Sequence, residues 1–147
     1  MKPTKLFFIL CTILLLQFSC KTKDFTPTEF EGEKISFGNF GGFTGEMDAY
    51  HLISNGQLFK QDGRKKIFKA LTSVKKKEAE VLFSKLKELQ LHELEMNDVG
   101  NLSYFIEITS TNTNNRIVWS DESVGLDSEI QQFYMKLYNL TKVEATK

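Results

Sequence analysis

The sequence predicts an α+β domain: an antiparallel sheet of about six strands, arranged as a four-strand meander plus a later hairpin, with two helices packed on one face. Three observations lead there. Short β-prone runs bounded by glycine fill residues 34–71 and return at 102–120. The apolar period lengthens from that of a strand to that of a helix over residues 73–90 and again near the C-terminus. Asn55-Gly56 and Asp62-Gly63 place tight-turn dipeptides between the early runs.

KISFGNF (34–40), EMDAYHLIS (46–54), QLFKQ (57–61) and KIFKAL (66–71) read as successive strands. Asn55-Gly56 tolerates positive φ and is expected to form a type I′ turn; Asp62-Gly63 repeats the signal, so a meander is the simplest consequence. Over residues 73–90, Ala79, Leu82, Phe83, Leu86 and Leu89 recur at helical spacing, with Ser73 available as N-cap. Lys75, Lys76 and Lys77 then stand near the positive end of the helix dipole, where acids are preferred, and Glu78 and Glu80 offset them only in part. That placement hints at another use for the lysines.

LSYFIEIT (102–109) alternates Leu102, Tyr104, Ile106 and Ile108 onto one face, and RIVWS (116–120) follows after the polar loop STNTNN. A last helix from about Asp127 to Thr141 carries Ile130, Phe133, Tyr134, Leu137 and Leu140 on one stripe behind an Asp127 or Ser128 cap.

Ahead of this domain lies a different kind of segment. Lys2 and Lys5 precede the apolar run LFFILCTILLL (6–16), and Ser19 is a small residue before Cys20, the three-part layout of a secretory signal. A spanning helix needs about 20 mostly apolar residues, and Gln17 and Lys21 interrupt this run first. Ser19-Cys20 resembles the lipobox of bacterial lipoproteins, although that pattern has leucine and a small residue where this chain has Gln17 and Phe18, with Leu16 one place early. The resemblance implies that residues 1–19 are a signal peptide and that the Cys20 thiol carries a diacylglyceryl group. Residues 20–33 are then the acylated cysteine and a flexible tether, and 34–147 a single domain. By the same likeness, Lys21 in place of aspartate implies the outer membrane, facing the periplasm. Plain secretion and a retained anchor are the alternatives.

The chain has two cysteines. Cys11 lies in the segment to be removed and Cys20 is consumed by lipid, so the remaining 128 of the 147 residues must be stable through one core, which their number allows. Taking Lys2 and Lys5 from the 19 basic residues leaves 17 against 19 acids, a balance that gives no reason to expect nucleic acid. The charge is unevenly spread. Lys60, Arg64, Lys65, Lys66, Lys69, Lys75, Lys76 and Lys77 share a stretch with one acid, Asp62, which reads as a solvated turn and helix start or as a patch for anionic headgroups or an acidic partner.

Candidate chemistry is sparse. His92-Glu93-Leu94-Glu95-Met96 begins like HExxH, but Met96 replaces the second ligand, so no zinc is expected and the segment reads as the frayed end of the long helix. His51 reads as a half-buried strand residue, and nothing in the local spacing joins either histidine to a nucleophile. GNFGGFTG (38–45) lacks the Gly-Lys-Ser/Thr of a phosphate loop, leaving a wide glycine turn or a recognition loop formed by Phe40, Gly41, Gly42, Phe43 and Thr44. Trp119 reads as sheet packing or as a ligand platform, with Asp121, Glu122 and Glu107 as nearby carboxylates in sequence.

A GGFTG loop in the first hairpin, an Asn-Gly turn, a leucine-rich helix and a later strand ending in tryptophan resemble small bacterial envelope lipoproteins of uncharacterised function. The GGF loop alone is similar to the emfourin-type inhibitors of thermolysin-like metalloproteases, over about five residues, and implies no inhibitory residues here. The reading is a membrane-anchored lipoprotein whose non-enzymatic periplasmic domain binds a protein or envelope component, with no catalytic residue, cofactor or metal. A carboxylate-dependent hydrolase and a structural envelope spacer are the alternatives.

Overall fold

A computed structural model describes residues 26–63 and 65–142. Its elements, in chain order, are β1 (Lys34–Gly41), β2 (Glu46–Ile53), β3 (Leu58–Gln61), β4 (Phe68–Ala70), α1 (Lys76–Glu88), β5 (Leu102–Thr109), β6 (Asn114–Ser120) and α2 (Ser128–Leu140). The six strands form one sheet in the order β4-β3-β2-β1-β5-β6, and every neighbouring pair is antiparallel. The fold is α+β, with the β1–β4 meander extended by the β5–β6 hairpin along the other side of β1.

Strand alternation decides where the core lies. The register sets Phe37 beside Tyr50 and Ile106, and Ile106 beside Ile117; one row over, Ile35 meets Leu52 and Ile108. These side chains share one face and cluster with Leu82, Phe83 and Leu86 of α1 and with Ile130, Phe133 and Leu137 of α2. Both helices therefore cover the same face. An aromatic row knits α2 to the sheet, because Tyr134 packs edge-on to Trp119 at 5.2 Å and its hydroxyl donates to the Gly38 carbonyl at 3.1 Å. On the opposite face, Phe105, Ala49 and Val118 form a smaller cluster under Phe40 and Met47.

Several boundaries differ from expectation for identifiable reasons. The β2–β3 turn is not type I′, because Gly56 has φ +94° whereas Asn55 keeps a negative φ. Gly56 N–H donates to Ile53 O at 2.8 Å and Ile53 N–H to Gln57 O at 3.0 Å, a three-residue loop closed by a glycine bulge. Ser73 does not cap α1. The chain holds to the sheet edge until Val74 N–H donates to Gly56 O at 2.8 Å, and Lys75 takes the cap position without a side-chain hydrogen bond. Asp127 does cap α2, its Oδ1 accepting from Glu129 N–H at 2.7 Å.

α1 ends in a Schellman-type closure rather than fraying: Leu91 N–H reaches Leu86 O at 3.0 Å over Gln90, whose φ is +52°. The chain then runs along β6, where Val118 N–H donates to Met96 O and Asp98 N–H to Val118 O, covering that edge. The β5–β6 loop is shorter than the sequence suggests, closed by Ser110 N–H to Thr113 O at 2.8 Å.

The segment read as a tether is laid against the domain from Thr26 onward. Pro27 is buried and its carbonyl accepts from Lys34 Nζ at 3.0 Å, while the Glu33 carboxylate meets His92 Nε2 at 2.8 Å. Cys20 lies outside the described residues.

Candidate functional site

Strand direction gathers four connections at one end of the sheet. Because Gly41 is paired with Glu46 and Leu102, and Ser103 with Ser120, the β1–β2 hairpin lies beside the segment before β5 and the loop after β6. The β3–β4 loop is at the same end, since Gln61 pairs with Ala49 as β3 runs back along β2. Each connection exposes one large apolar side chain: Phe43, Ile67, Val99 and Val124. Of these, Phe43 and Val124 are almost wholly in solvent.

Phe43 is held out by a backbone that only glycine can supply. Gly41 has φ +95°, and a Cβ there would collide with the Asn101 carbonyl; Gly42 has φ +69°, and its N–H donates to that same carbonyl at 2.6 Å. Gly45 N–H closes the turn onto Gly42 O at 3.3 Å, and Thr44 Oγ1 accepts from Glu46 N–H at 3.4 Å. The turn is thus tied to the segment before β5. A buried aromatic would have collapsed onto the sheet.

Phe40 shows that alternative. It is half-buried on the face away from the helices, 6.2 Å from the Phe105 ring and 5.7 Å from the Arg116 guanidinium. Of the five residues expected to form a recognition loop, Gly42, Phe43 and Thr44 lie in the turn, Gly41 is the paired last residue of β1, and Phe40 is packed beneath it.

The sheet also joins residues that sequence spacing left apart. Ser36 and His51 are cross-strand partners, and Ser36 Oγ lies 2.9 Å from His51 Nδ1 while Gln61 Oε1 lies 2.9 Å from Nε2. Burial pushes the His51 pKa below its usual value, the Gln61 contact opposes this and the Lys34 charge adds to it. Serine beside histidine is the start of a nucleophilic site, but acyl transfer also needs donors for an oxyanion. Ser36 is buried in a strand whose backbone is hydrogen-bonded to β2 and β5, so the pair is suited to holding the sheet.

The carboxylates near Trp119 are divided. Trp119 is buried on the helix face, stacked on Tyr104 at 6.0 Å, whereas Glu107 lies on the other face and accepts from Arg116 at 3.1 Å. Glu107 and Trp119 do not share a cleft. His92 and His51 are each engaged elsewhere, and among the described residues no three His, Cys, Asp or Glu side chains gather as a metal site.

No family model matches the chain, and no curated protein matches it in sequence.

Proposed function

We propose that this is a lipid-anchored envelope protein whose domain binds a protein partner through the loop end of its sheet, on the periplasmic side of the outer membrane. The observation that carries the reading is Phe43, a large aromatic side chain left in solvent by a turn whose backbone is fixed. Exposed aromatics on rigid supports lose little entropy on contact and are frequent centres of binding energy. Val124 and Val99 supply apolar surface on the adjoining connections.

The test uses Phe43→Ala and Gly42→Val in the full chain, with capture from solubilised envelope and denaturant unfolding measured side by side. Phe43→Ala is expected to abolish capture and to change stability by less than about 0.5 kcal/mol, as exposed substitutions do. Gly42→Val is expected to strain the positive-φ backbone by roughly 1–3 kcal/mol, weakening fold and capture together. Undiminished capture by Phe43→Ala would overturn the proposal.

A further inference from the structure

We infer that the β4 edge of the domain is a docking surface for anionic lipid headgroups. Lys65 and Lys66 lie in the β3–β4 loop, Lys69 on β4, and Lys75, Lys76 and Lys77 where the chain passes from that edge into α1; all six are exposed. Lys76 reaches Glu80 at 4.0 Å, and no described carboxylate lies within ion-pair distance of the other five. Lys60, on the neighbouring strand, shows the contrast: it pairs with Asp48 at 3.1 Å and lies over the Tyr50 ring.

The arrangement works against the fold that carries it. Like charges share an outer edge, and at α1 they occupy the cap and first positions, where an acid or hydroxyl would stabilise the helix. A negatively charged surface reverses the sign of these interactions, each lysine near it contributing favourably within a Debye length. Ile67, 58% exposed among the lysines, gives the patch an apolar point suited to the boundary between headgroups and acyl chains.

A bilayer is favoured as the occupant by reach. This step rests on the Cys20 anchor proposed above. Cys20 precedes Thr26, the first described residue, by six positions, a contour of about 20 Å. Three strand spacings from β1 to β4 amount to roughly 14 Å. The anchored chain is therefore long enough for this edge to lie on the membrane that holds it.

The test is lysine acetylation footprinting of the native lipidated protein, reconstituted in phosphatidylcholine vesicles with or without phosphatidylglycerol. Lys65, Lys66, Lys69, Lys75 and Lys77 are expected to be several-fold less modified on the anionic vesicles, with the protection lost in high salt and Lys87 and Lys136 unchanged. The exposed triple variant Lys65→Glu, Lys69→Glu, Lys77→Glu is expected to lose the protection of Lys66 and Lys75. Equal labelling on both vesicle types overturns the proposal, and protection that arises only when envelope proteins are added assigns the surface to an acidic protein instead. Flotation with pure phosphatidylcholine vesicles reports the anchor separately. A chain that fails there yet binds anionic vesicles refutes the lipid on Cys20 and supports the lysine surface.

Discussion

At His51, a titratable ring is held between Ser36 and Gln61 with the Phe68 ring edge-on at 5.1 Å. Burial lowers its pKa from 6.5, so between the depressed native value and about 6.5 the unfolded chain binds the proton that the folded chain refuses. The resulting stability is present above that window and is lost as pH falls through it. The urea midpoint is expected to be lower at pH 5.5 than at pH 7.5, and His51→Gln is expected to reduce the difference; an unchanged difference would remove His51 as its source. Counting outward from the glycine turn already sets residue 36 opposite 51, so this contact was legible in principle. A histidine and a serine fifteen positions apart carry no local signal, and only the strand register joins them. Phe43 was legible for the opposite reason, since glycines on both sides advertise an aromatic that the turn cannot bury. Phe40 carries the same flanking glycine chemistry and packs down, because strand alternation, not composition, sets its direction.

The helices differ most at their starts. α2 has Asp127 accepting from Glu129 N–H, whereas α1 begins at Lys75 with no side-chain cap. Lys75→Asp is expected to stabilise the domain by roughly 1 kcal/mol, visible calorimetrically as a rise of a few degrees in Tm; no rise would mean that the lysine already has a compensating role in the folded chain. The body of α1 was legible because Ala79, Leu82, Phe83 and Leu86 are all buried, as their spacing requires. Its start was not, because Leu71 N–H and Val74 N–H are claimed by Leu58 O and Gly56 O across the sheet edge. Tertiary hydrogen bonds outweighed the local preference of Ser73. The sheet's two edges are likewise managed by different means: Met96 to Asp98 cover β6, while short β4 presents Lys69.

For the molecule as a whole, the described residues include no helix long and apolar enough to cross a membrane. In the proposed reading the lipid on Cys20 anchors the protein to the envelope, an acyl chain contributing about 0.8 kcal/mol per buried CH₂. Cys20→Ser is expected to yield uncleaved precursor or unanchored protein on fractionation, and unchanged retention without lipid mass on the native N-terminus would refute the anchor. The core assembled much as the two apolar periods implied, since one sheet face and two helix stripes are enough to specify a two-layer α+β domain. The order of the strands was the least legible feature, because pairing of β1 with β5 joins segments that no short-range pattern connects.

That pairing makes β1 the first strand of the domain to be synthesised, yet one of its two sides is closed only from far along the chain. Its partner on one side, β2, follows after a turn, but Gly41 and Lys34 meet Leu102 and Thr109, residues that arrive roughly sixty to seventy-five positions later. Until they do, a meander of four strands leaves the backbone of Ser36 and Gly38, which face Glu107 and Phe105 in the finished sheet, unpaired along one side, a template for joining another chain. Folding is therefore governed by a long loop closure at the centre of the sheet, and the interval in which the nascent chain is most open to aggregation is the time taken to deliver β5.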